Sequence, residues 1–280
     1  MRSVPTALTE RRIMPASSSL RGRVPGQVAM SEVVAAQLDV PARSRLARIF
    51  GRSPLTPETR PIYRAALGEV LVGDMLDNLG PRWDVLHVVP LDSCERDIDH
   101  LVIGPPGVFT ITTENFPGQE LRINGETLSV GSRQFDHIRV ARSLGEGAAE
   151  RLGAAVGRPV EVTPLIVAVT PTKLVLREQP TGVSVVTSRG LLHHLEKLDA
   201  TLSGADVASI SDIADRHSTW EMSPDSSPDP QRLGLSFAAL REEVQDAAEA
   251  RLFWSIVGLG TLAICVWLGA SMVVQHLLGR

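Results

Sequence analysis

Lysine is almost missing from this 280-residue chain, which contains only Lys173 and Lys197. Nearly all positive charge must therefore come from arginine. Cysteine is as scarce: Cys94 falls in a polar stretch and Cys265 in an apolar run near the end of the sequence. The two are not expected to pair, neither has metal-ligand spacing, and the pattern fits a reducing compartment. The first twenty residues lack an unbroken apolar stretch, so no secretory signal is expected. No P-loop, dinucleotide-binding glycine fingerprint or nucleophile elbow occurs, which removes the common nucleotide-binding and hydrolase classes. His193 and His194 have no Cys or carboxylate at zinc spacing and read as surface residues.

What is present is unevenly spread. The net charge is only -4. Residues 1–60 nevertheless hold ten arginines against four acids, which makes that segment +6 and leaves -10 for the remainder. A basic end of this kind suits nucleic acid, an anionic membrane surface, or a solvated tail. Its Ser, Pro and Arg content, broken by one helix-compatible piece (SEVVAAQL), predicts a largely disordered basic tail over residues 1–56.

Residues 57–220 alternate helical and strand patterns, as expected for a mixed α/β domain. Residues 221–235 are a Pro- and Ser-rich linker by composition. A juxtamembrane helix is predicted over 236–251, continuing into an apolar span at 252–279. From Leu252 to Gly279 there is no Asp, Glu, Lys or Arg. As a helix that run reaches roughly 40 Å, more than the ~30 Å hydrocarbon core of a bilayer, so a transmembrane helix is expected. Arg241 and Arg251 precede it and only Arg280 follows, which favours a single-pass tail anchor in the cell membrane with the main domain cytoplasmic.

Within the domain, a first helix is expected from Pro61 to Leu79, carrying Glu69. WDVLHVV and DIDHLVIG then read as strands, GPPG turns the chain, and a further strand reaches Glu114. Side chains alternate across a strand, so Asp99 and Glu114 have the parity to meet on one face, while His100 points the other way as a structural histidine. Asp97 shares the parity of Asp99. The hairpin ELRINGETLSV turns at Asn124-Gly125. A helix over Arg133 to Leu152 leads to the strand PLIVAVT, and VSVVTS with two short helices completes the domain.

From Leu67 to Trp220 the sequence resembles the nuclease-related domain (NERD) family, on the strength of Gly68-Glu69, WDVLHVVP, DIDHLVIGPPGVFTI and NFPG taken together. The resemblance implies a restriction-endonuclease-like fold, a central mixed β-sheet flanked by helices. It also implies Mg²⁺- or Mn²⁺-dependent attack on phosphodiesters. In that superfamily the metal is held by a helix Glu, a second-strand Asp and a third-strand acidic-x-Lys. Those roles map onto Glu69, Asp99 and Thr112-Thr113-Glu114, so glutamate stands where the lysine is usual. Glu69, Asp99 and Glu114 are the expected catalytic and metal-ligating residues. Arg122, Arg139 and Arg142 are the expected contacts to DNA or RNA. Three readings stay open: a degenerate phosphodiesterase site retained for nucleic-acid or phosphate binding, an active nuclease with a variant site, and a non-catalytic scaffold tethered to the membrane.

Overall fold

The computed structural model describes residues 19–91, 96–221 and 228–278, with side chains of the final helix described to Gln275. The first eighteen residues, the loop holding Cys94, the middle of the linker, Gly279 and Arg280 lie outside the described residues.

Helix α1 (Gln27–Leu38) and the short α2 (Arg45–Ile49) precede α3 (Thr59–Leu76). Three strands follow, β1 (Asp84–Val89), β2 (Ile98–Gly104) and β3 (Gly107–Asn115). A smaller set comes next, β4 (Glu120–Asn124), β5 (Thr127–Val130) and β6 (Arg133–Phe135), leading into α4 (His137–Val156). β7 (Val162–Val169), β8 (Lys173–Glu178) and β9 (Ser184–Thr187) complete the sheets. Then come α5 (Leu191–Lys197), α6 (Gly204–Ala214), α7 (His217–Trp220) and the long α8 (Pro230–Leu278).

The larger sheet has the order β1-β2-β3-β7-β9, antiparallel across β1, β2 and β3 and parallel across β3, β7 and β9. Both of its faces are covered. Leu101 and Ile103 pack with Leu144, Ala148 and Leu152 of α4, Ile210 of α6 and Trp220 of α7. Val102, Phe109 and Ile111 pack with Val72 and Leu76 of α3 and Leu191 and Leu195 of α5. This is a mixed α/β fold, as the sequence pattern implies.

Four expectations are corrected. A second sheet, β6-β5-β4-β8, stands beside the first. The anticipated hairpin is only its centre, because β8 pairs parallel to β4 from far along the chain, and no local pattern announces such a partner. α4 begins at His137 rather than Arg133, since Arg133 to Phe135 pair with β5 as an edge strand instead. Residues 19–56 are not a tail. Ala29, Met30 and Val33 of α1 are buried among Tyr63 and Ala66 of α3 and Leu233 and Phe237 of α8, a cleft whose far wall lies two hundred residues away in sequence. Finally, α8 starts at Pro230, inside the expected linker. Proline suits a first helical turn because the missing N–H has no partner there, and Asp229 caps the end by accepting from the Gln231 N–H at 3.1 Å.

α8 is one continuous helix of 49 residues. Its first half packs on the domain, and none of its most apolar eighteen-residue stretch is buried. Among the described residues it is the one helix long and apolar enough to cross a membrane. Phe237 is 5% exposed and its ring lies 5.6 Å from that of Tyr63. Phe237→Ala should lower domain stability by about 3 kcal/mol in chemical denaturation. A change below about 0.5 kcal/mol would show that α8 is not held on the domain.

Candidate active site

The site grows from one helix lying close to one strand. A Cβ added to Gly68 would fall 2.8 Å from Asn115 Cβ and 3.2 Å from Thr113 Cγ2, so glycine is what lets α3 approach the end of β3. One turn earlier, Asn115 Nδ2 donates to the Arg64 carbonyl at 2.7 Å. The next side chain, Glu69, then lines a cavity of about 560 Å³ together with Glu32, Val88, Arg96, Asp97 and Asp99.

Asp99 sits where β2 and β3 part. The last β2–β3 pair is His100 with Ile111, and β3 continues to Asn115 alongside β7 alone. Past the fork, the Thr113 N–H donates to Asp99 Oδ2 at 2.6 Å, taking a side-chain acceptor in place of a strand partner. On the other side of β2, the pairing skips Val88, which has φ of +52°. A β-branched residue is strained in that region. Backbone strain of this kind collects at functional sites, and here it lies in the cavity wall.

The cavity is rich in carboxyl groups. Burial pushes the Asp99 carboxyl up to about 7, with Glu114 and Asp97 adding repulsion and the Thr113 amide and Arg96 opposing it. Burial also holds Glu69 well above the usual carboxylate range, followed by repulsion from Asp99, again against Arg96. Asp97 is raised by burial and relieved by Arg23. Two buried carboxylates facing each other are the arrangement that most disfavours joint ionisation.

Glu114 does not complete a triad. Its Oε1 lies 2.8 Å from His137 Nδ1, and the imidazole is stacked on Phe135 at 5.1 Å. Glu114 is within electrostatic reach of both other carboxylates but does not line their cavity. Among the described residues no three His, Cys, Asp or Glu side chains converge as metal ligands. Of the three expected carboxylates, Glu69 and Asp99 share one cavity. That pair suits a hard cation, because Mg²⁺ is commonly held by one or two carboxylates plus waters and substrate phosphates.

His137 is the residue that sequence reasoning missed. Position 137 lay inside a stretch read as continuous helix, and only the placement of β6 and α4 brings it to Glu114. His100 is structural as expected: it is fully buried with its Nδ1 2.9 Å from His87 Nδ1. The three arginines expected to meet nucleic acid are each engaged locally. Arg122 binds Glu120 at 2.6 Å, Arg139 binds Asp136, and Arg142 binds Glu126 at 2.6 Å and the Thr181 carbonyl at 2.7 Å. Arg139 and Arg142 point to different partners, so they form no joint basic strip.

The raised carboxyls have a sign that stability measurements can read. Between the unfolded value of 3.8 for Asp99 and its folded value of about 7, the folded state binds more protons than the unfolded chain. Stability of the cation-free protein is therefore greatest below about pH 4 for this group and is lost as pH rises to 7. Asp99→Asn should flatten that fall and raise stability at pH 7. An unchanged pH profile would show that Asp99 is not buried as described.

No curated protein and no solved structure matches the chain. The family model described as nuclease-related domain (NERD) matches residues 64–169, a segment that includes Glu69, Asp99, Glu114 and His137, and the chain therefore carries a nuclease-related domain.

Proposed function

We propose that the protein is a membrane-anchored nuclease-related domain with a degenerate metal-dependent phosphodiesterase site, which binds phosphate groups of nucleic acid through a divalent cation held by Glu69 and Asp99. The observation that carries this reading is the half-buried, mutually repelling Glu69–Asp99 pair in an open cavity, relieved among the described residues by Arg96 and the Thr113 amide. An acidic cavity repels phosphate unless a cation intervenes, so the cation comes first. Mg²⁺ or Mn²⁺ bound there would neutralise a phosphate oxygen and make a coordinated water more acidic.

The chain's own residues divide the work. The Thr113 amide fixes the direction of the Asp99 carboxylate. The Gly68 contact fixes the approach of the helix that presents Glu69. Arg96, exposed at the cavity, is placed to meet a phosphate oxygen. No lysine stands on β3 to position an attacking water, and His137 engages the glutamate in its place. That combination favours binding over turnover.

The anchor is the exposed apolar part of α8. Arg241 and Arg251 lie on its domain side, joined in the fold by Arg43, Arg45, Arg48 and Arg52 around α2. A positive flank of this size favours a cytoplasmic domain.

Mn²⁺ titration of the full-length chain in detergent micelles tests the site. Asp99→Ala should weaken binding by at least about tenfold while the circular dichroism spectrum stays unchanged. Equal affinity in the variant would overturn the cation site. Cleavage of DNA and RNA by the natural chain should stay near background, and Glu114→Lys should raise it. Strong cleavage by the natural chain, abolished by Asp99→Ala, would mean that the site is an active nuclease rather than a degenerate one.

A further inference from the structure

A second cavity, of about 740 Å³, opens where α2 meets α8, and among the described residues it is lined by Arg43, Arg52, Arg60 and Arg251 with no acidic side chain in its wall. Arg43 is spoken for, since it donates to the Arg52 carbonyl at 2.9 Å and pairs with Glu243 at 2.8 Å. Arg52, Arg60 and Arg251 are exposed and make no ion pair or side-chain hydrogen bond within the described residues. The three line one cavity, and the planar guanidinium fork of arginine is suited to a phosphate.

The height of this cavity along α8 identifies the phosphate. Arg251 lines it and is also the last charged residue before the charge-free run that begins at Leu252. The segment carrying α2 is fastened at that level. A Cβ on Gly51 would fall 2.4 Å from the Ala247 carbonyl, Trp254 Nε1 donates to the Ile49 carbonyl at 2.8 Å, and the Phe50 ring lies 5.0 Å from Trp254. Beside the arginines, Leu46, Ile49 and Phe50 are 66%, 53% and 55% exposed. Those side chains project from the same short segment, at the level where the helix leaves water. Basic residues with apolar neighbours at that depth are the pattern of an interfacial lipid contact.

We propose that this cavity binds the phosphodiester headgroup of an anionic phospholipid, with Leu46, Ile49 and Phe50 entering the interface beside it, so that the domain is held against the membrane surface. The proposal rests on reading α8 as a membrane span. Bound lipid would supply the missing counter-charge for Arg52, Arg60 and Arg251. It would also fix the domain's distance from the bilayer, which a helix crossing alone leaves free to vary.

The test uses the full-length chain. Alkaline carbonate extraction of membranes comes first; release of the chain would remove the span and this proposal with it. The integrated protein is then placed in nanodiscs of phosphatidylcholine alone or with phosphatidylglycerol, and hydrogen exchange is followed across residues 43–56. Exchange should slow in the anionic discs, and Arg52→Gln and Arg60→Gln should each remove about fivefold of that protection, with residues 98–115 unaffected as a control of folding. Equal exchange in both discs would overturn the headgroup site while leaving the span intact. Equal protection in phosphatidylcholine discs on adding inorganic phosphate would assign the cavity to free phosphate and overturn the lipid assignment.

Discussion

Helix α1 is wedged between α3 and α8, and both functional ends of the molecule depend on that packing. Met30 and Val33 bury against Tyr63, Leu233 and Phe237, which packs α8 against the helix that carries Glu69. The opposite edge of α1 supplies Val28, Ala29 and Glu32 to the acidic cavity. Without α1, the cavity would lose one wall and α8 would lose its largest contact with the domain. Burial of a few large side chains therefore joins a wall of the acidic cavity to the first half of α8.

The two cavities are electrostatic opposites. One is walled by Glu32, Glu69, Asp97 and Asp99 against a single arginine, the other by four arginines and no acid. A ligand of opposite sign bound in either cavity would add stability. Arg122, Arg139 and Arg142, by contrast, pair with Glu120, Asp136 and Glu126.

Much of the central sheet was legible in the sequence, because strand alternation and the GPPG turn are local signals with period two. Glu69 and Asp99 stand out as candidates for a different reason: their neighbours Gly68 and Ile98 to Ile103 form a recognisable run. What escaped was long-range. α1 looks like part of a disordered tail until its partner at Phe237 is known. β8 has no helix or strand neighbour in sequence that points to β4. His137 reads as an ordinary helix residue until the fold places its imidazole beside Glu114. Strand parity correctly put Glu114 near Asp99, but parity says nothing of a competing partner from another element.

The central claim is that Glu69 and Asp99 are a cation site whose carboxyls carry protons until the cation arrives. Calorimetric titration of the full-length chain with Mn²⁺ at pH 6, repeated in buffers of different ionisation enthalpy, measures it directly, since ligands that must deprotonate release protons on binding. With Asp99 titrating at about 7 and Glu69 raised beside it, binding should be coupled to proton release, and both should be lost in Asp99→Asn. Binding without proton release, or no binding at all, would contradict it.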